Sequence, residues 1–156
     1  MKGISKDAWV KIQIDEKRIK TSVSKLFTFM KEFNGEWVEK DIKILGYSNE
    51  LNHFELNHVE EFSYDSISYI VSFPNTSFEV LPDTEFFTDI GIYSVEKIYE
   101  MVKDDKDVKI AKLAGNDLFF SGFFDMKIRN CNNELFYSVN AEVDFIFVND
   151  ILVKVK

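Results

Sequence analysis

The sequence predicts an α+β fold, in which antiparallel sheets carry two short helices, and three observations point to it. Period-two alternation of apolar and polar residues recurs along most of the 156-residue chain. Two amphipathic segments with helical spacing interrupt it. Those segments also resemble each other: Ser22-Val23-Ser24-Lys25-Leu26-Phe27 and Ser94-Val95-Glu96-Lys97-Ile98-Tyr99 lie 72 residues apart. Further on, Asp41-Ile42-Lys43-Ile44 lines up with Asp107-Val108-Lys109-Ile110. The expectation is a single compact domain over 1–156, with two pseudo-repeats, 1–81 and 82–156, each a strand, a helix and about four strands. Any two capped amphipathic helices share some of these features, so a chance likeness stays the alternative to duplication.

Residues 8–14 alternate, with Ala8, Val10, Ile12 and Ile14 on one face, and predict a half-buried strand. Residues 15–20 are charged and predict a connection. Thr21 or Ser22 can cap a helix whose apolar stripe is Val23, Leu26, Phe27, Met30 and Phe33. Asn34-Gly35 supplies its stop. Strands are expected at 38–45, at 51–59, at 67–73 before Pro74-Asn75, and at 78–81 before Pro82-Asp83.

The second stretch opens with a strand over 85–90. Ser94 caps a helix with Val95, Ile98, Tyr99 and Val102 on one side, and Glu96 in its first turn suits the dipole. A turn at 104–107 leads to a strand over 108–113 and a longer one over 118–128, where Gly122 marks a bulge or a close packing point. The longest alternation, 135–147, presents Ser138, Asn140, Glu142 and Asp144 to water. Asn149-Asp150 then turns into a hairpin strand over 151–156. In element order alone, a helix before four antiparallel strands is similar to cystatin-like folds. The tandem version is similar to Whirly-type single-strand binders, with no motif matching either.

With 46% hydrophobic residues and 16 phenylalanines, the chain can bury a core without staples. Roughly 68–70% of the unfolded surface is buried at this size. The one cysteine, Cys131, cannot form an internal bridge, and its polar neighbours predict an exposed, incidental thiol. No apolar leader and no long apolar run is present, so a soluble cytoplasmic protein is expected.

Charge is unevenly spread. Of the net −8, residues 46–100 hold eleven acids against Lys97 alone, while residues 1–45 carry +3. Phosphate binding rests on Lys and Arg, so nucleic acid is not the expected partner of that middle third. A basic protein is, because complementary charge steers encounter and rejects wrong partners. The carboxylates expected to meet it are Glu50, Glu55, Glu60, Glu61, Asp65, Glu79, Asp83, Glu85 and Asp89.

No catalytic, cofactor-binding or metal-binding residue is selected. His53 and His58 have opposite strand parity and point to opposite faces. Cys131 lacks a neighbouring base. There is no phosphate loop, no Gly-x-Ser-x-Gly and no calcium loop. The function expected from the sequence is a non-enzymatic acidic protein that blocks a basic partner, in its most concrete form an immunity or antitoxin-type inhibitor of a cationic nuclease-like toxin. The alternatives are a ligand-binding or enzymatic domain with a Phe-lined cavity, and a dimeric acidic adaptor or secretion chaperone. The aromatic pairs Phe86-Phe87, Phe119-Phe120 and Phe123-Phe124 are read as core.

Overall fold

In the computed structural model, residues 1–32 and 41–156 are described. Strand β1 (Ile4–Ser5) leads to a hairpin of β2 (Trp9–Ile14) and β3 (Lys17–Ser22), then helix α1 (Val23–Glu32). Strands β4 (Ile42–Ser48), β5 (Glu50–Tyr64), β6 (Ile67–Phe73) and β7 (Thr76–Val80) follow. A second hairpin, β8 (Glu85–Thr88) and β9 (Gly91–Ser94), precedes helix α2 (Val95–Lys103). Strands β10 (Ile110–Ala114), β11 (Asp117–Ser121), β12 (Asp125–Asn130), β13 (Glu134–Ala141), β14 (Phe145–Val148) and β15 (Ile151–Lys154) complete the chain.

Strands outweigh helices so heavily that the α+β expectation is corrected. The molecule is a strand-rich antiparallel half-barrel, 59% strand and 12% helix. Three segments account for the difference. Residues 15–20 look like a charged connection, yet most of them form β3, with Arg18 paired to Gln13 and Lys20 to Lys11. Charged side chains on such a border strand discourage pairing with another chain, and they hide the strand from a periodicity argument. The run 118–128 divides around Gly122: β11 pairs with β10, and β12 crosses to β6. The run 135–147 divides after Ala141, with β13 on β5 and β14 on β15 and β4.

The 15-residue β5 joins the two wings of the half-barrel. Its first half pairs with β4 and its second with β13. The same local pattern occurs twice. Strand β2 pairs with β3 and β4 around α1, and β8 pairs with β9 and β10 around α2. Strands from the two stretches interleave, as in β5 with β13 and β4 with β14.

Each helix begins on a serine whose hydroxyl accepts the amide three residues on: Lys25 to Ser22 at 3.3 Å and Lys97 to Ser94 at 3.2 Å. Each such cap contributes about 1 kcal/mol. Val23 and Leu26 of α1 are buried; Phe33, the Asn34-Gly35 stop and the strand start at Val38 lie outside the described residues. Helix α2 buries Val95, Ile98 and Met101, while Val102 faces water. Both helices cover a core in which Val10, Ile12, Ile44, Phe86, Ile110 and Ile146 are essentially inaccessible. The Asn149-Asp150 turn has positive φ at both residues (52° and 62°), the geometry that joins β14 to β15 without splaying them.

Candidate functional site

The two ends of the chain meet in one narrow cleft. Residues 81–84 form a turn closed by a 3.0 Å bond from the Thr84 amide to the Leu81 carbonyl. Pro82 sits at the second position of this turn, where its fixed φ is preset. The N-terminal segment lies along it: Asp83 N–H donates to the Met1 carbonyl at 3.1 Å, and Leu81 N–H to the Gly3 carbonyl at 3.0 Å. Opposite, β15 pairs with β8 so that Lys154 lies across from Glu85, and Lys2 Nζ reaches Glu85 Oε1 at 2.8 Å.

The Thr84 hydroxyl grips Gly3 on both sides. Thr84 Oγ1 accepts the Gly3 N–H at 3.0 Å and donates to the Gly3 carbonyl oxygen at 3.1 Å. That oxygen therefore receives two donors, a backbone N–H at 3.0 Å and a hydroxyl at 3.1 Å. Thr84 is buried, at 3% exposure. A Cβ at position 3 would stand 2.8 Å from Phe62 Cζ and 3.0 Å from Leu81 Cδ1, so a larger residue there requires those side chains to shift.

Tyr137, Ser138 and Val139 line the cleft from β13, and Val153, Lys154 and Val155 from the C-terminal segment. Burial, then the hydrogen bond to Glu61 at 2.7 Å, pushes the Tyr137 hydroxyl up to about 12, so it stays protonated. The enclosed space is about 50 Å³. Water enters such a space; an organic substrate does not.

Of the nine sequence-selected carboxylates, Asp83 and Glu85 border this cleft, Glu61 accepts from Tyr137 of its wall, and the others lie elsewhere. Glu79 is paired with Arg129 at 2.8 Å, Glu85 with Lys2, and Asp83 with the Met1 ammonium. Asp89 accepts the Lys109 amide at 2.9 Å, and Glu60 lies 3.3 Å from His58. Glu60 and Glu61 oppose Ser138 and Tyr137, so they face opposite sides of β5. The carboxyl of Glu55 is raised by burial and then by Asp41 beside it. Glu50 and Asp65 are exposed at the two ends of β5. Three of the nine, Glu79, Asp83 and Glu85, thus pair with cations from outside residues 46–100.

A register shift at Asn57, where His58 faces Asn140 and Leu56 faces Ala141, interrupts the strand alternation between His53 and His58, and no group of three or more potential metal ligands occurs among the described residues. Cys131, expected to be exposed, is buried at 5% accessibility within 3.2 Å of Ser68 Oγ. Of the aromatic pairs, Phe86 is core and Phe87 packs with Phe120 and Phe145, whereas Phe119, Phe120 and Phe123 stand exposed. Among the described residues no phenylalanine lines this cleft. Among the described residues no helix is long and apolar enough to cross a membrane.

Sequence reasoning passed over Gly3 and Thr84. The Leu81-Pro82-Asp83-Thr84 turn was legible as a turn, but its contact with residue 3 spans 81 positions and has no local signature.

No protein-family model and no curated protein matches the chain. Solved structures do. An intein from a hyperthermophile superimposes with a TM-score of 0.76 at 13% identity, covering 100% of both chains. A DnaB intein from Synechocystis sp. PCC 6803 gives 0.72 at 16% identity, over 100% of this chain and 99% of that one. The TvoVMA intein gives 0.70 at 15% identity, over 97% and 96%. Inteins are protein-splicing domains, so these neighbours overturn the expectation of a non-enzymatic acidic inhibitor, whether immunity protein or antitoxin. At these identities they show one thing: the chain has the intein fold.

Proposed function

We propose that this chain is a self-processing domain that acts on its own backbone at Gly3. The observation that carries this reading is the pair of donors, Leu81 N–H and Thr84 O–H, directed at the Gly3 carbonyl oxygen inside the cleft where the two chain ends meet. A domain that is released from a longer polypeptide, with its flanks handled together, needs its ends adjacent; the intein fold and the shared Glu85 contacts support that arrangement here.

Gly3 has no side chain, so residue 3 supplies no nucleophile, and the cleft is large enough for water. In the proposed reaction, water oxygen bonds to the Gly3 carbonyl carbon while the two donors hold the oxyanion. The bond to the Ile4 nitrogen breaks, and the proton from water passes to that nitrogen. The carboxylic acid so formed then passes its proton to the new amine, and the products are a carboxylate on Gly3 and an ammonium on Ile4. Each donor is worth roughly 10²–10³ in rate, which is modest beside the 10⁶–10¹⁷ of multi-turnover enzymes. The event is accordingly slow and occurs once per chain. The buried single thiol of Cys131 fits a cytoplasmic setting for it.

To test the reading, a marker domain is placed ahead of Met1 and the purified chain is incubated and sequenced from its N-terminus. A new terminus at Ile4 is expected. An N-terminus that stays that of the marker contradicts it.

A further inference from the structure

A second cleft is cationic in an otherwise acidic protein, and it lies away from Gly3. It encloses about 460 Å³ between the β2–β3 hairpin, β4–β5 and the β10–β11 turn. That size falls within the roughly 300–1,000 Å³ of small-molecule sites. Lys11 and Lys20 are register partners across the hairpin, and Arg18 sits two residues from Lys20, so these three side chains share one face. His53 joins them from β5, opposite Leu45.

Little of this charge is cancelled. Lys11 has Asp150 at 3.0 Å. Arg18 Nε donates to neutral Gln13 at 3.2 Å, and Lys20 Nζ rests 3.7 Å from the Trp9 ring centre. Among the described residues neither Arg18 nor Lys20 has a carboxylate within ion-pairing distance. The local potential is felt by His53, which is held below its ordinary value by burial, then by Arg18 and Lys43.

The floor differs from the rim. Leu45, Leu51 and Leu113 form an aliphatic base, and Asn52 and Asn116 place amides at its edges. Gly115, with φ at 64°, turns the chain so that Asn116 borders the space. A cationic rim selects an anion, the aliphatic floor selects a flat body of low polarity, and amides suit the paired donors and acceptors of a heterocycle edge. We infer that this cleft binds a small phosphomonoester carried on a planar heterocyclic body, of nucleoside monophosphate size.

The test is calorimetric titration of the whole protein with AMP, adenosine and inorganic phosphate. It is repeated with Arg18→Gln and Lys20→Gln and, as a remote control, Lys127→Gln on β12. Charge-assisted hydrogen bonds of about 1.5–3 kcal/mol correspond to about tenfold or more in affinity. AMP is expected to bind at least about tenfold tighter than either adenosine or phosphate alone. Arg18→Gln and Lys20→Gln should each weaken AMP about tenfold, with melting temperature unchanged because both side chains are exposed. The inference is overturned if adenosine binds as well as AMP, if Lys127→Gln weakens binding equally, or if AMP gives no heat. It is equally overturned if a single-stranded oligonucleotide binds with a steep salt dependence and AMP does not compete, which would mark a polymer surface instead.

Discussion

Asn149 and Trp9, 140 residues apart, are bound to each other twice: Trp9 N–H donates to Asn149 Oδ1 at 2.8 Å, and Asn149 N–H donates to the Trp9 carbonyl at 2.9 Å. Asn149 Nδ2 also donates to Thr76 Oγ1 at 2.8 Å and to the Ser77 carbonyl at 3.3 Å. One buried amide thus ties the starts of β2 and β7 to the β14–β15 turn. Asn149→Gly keeps the positive φ available and removes only the side-chain bonds. It is expected to cost about 2–4 kcal/mol in chemical denaturation, since buried groups lose their partners. A loss below 0.5 kcal/mol, the scale of an ordinary surface change, would show that the tie contributes nothing.

Arg129 bridges two acids, with Nη2 2.8 Å from Glu79 and 2.6 Å from Glu134. Its guanidinium holds the Glu134 carboxyl below the usual range, as the first cause. A depressed folded-state value means that the stabilisation is complete above the unfolded value of 4.5 and is lost as pH falls through the folded one. Denaturant midpoints measured from pH 6 downwards should therefore fall less steeply for Arg129→Gln than for the parent. At pH 7 the same change should cost about 1.5–3 kcal/mol, because Glu79 is left mostly buried without its counter-ion. Parallel pH profiles would remove Arg129 as the cause.

Cys131 is inert for a reason that the chain position concealed. Burial pushes its thiol up to about 11, with Glu79 and Glu134 beside it adding to the effect. Iodoacetamide at pH 8 should leave the folded protein nearly unlabelled and label it fully in denaturant, because the thiolate is the nucleophile. Rapid labelling of the native protein would contradict this burial.

Much of the local structure was readable, and the class was not. Val10, Ile12, Tyr69 and Val71 alternate within single strands, and Ser22 and Ser94 start the helices where their hydroxyls reach the third amide. Leu118, Phe120, Phe124 and Met126 keep one parity through a break between two strands, so periodicity merges β11 with β12. Arg18 and Lys20 conceal β3 by being charged on a border. The acid middle is legible as composition, whereas the pairing of Glu85 with Lys2 and of Glu79 with Arg129, 83 and 50 residues away, has no local signature. The Gly3–Thr84 contact is of the same long-range kind.

The most direct test of self-processing at Gly3 is a mass-spectrometric time course of the extended chain, comparing the parent with Thr84→Val. The Thr84 hydroxyl is one of two donors on the Gly3 oxygen, and losing such a donor costs roughly 10²–10³ in rate. The account predicts that the parent accumulates a fragment ending in Gly3 and one starting at Ile4, and that Thr84→Val slows both by about that factor. Equal rates in the two proteins, or an intact mass throughout for the parent, would contradict it.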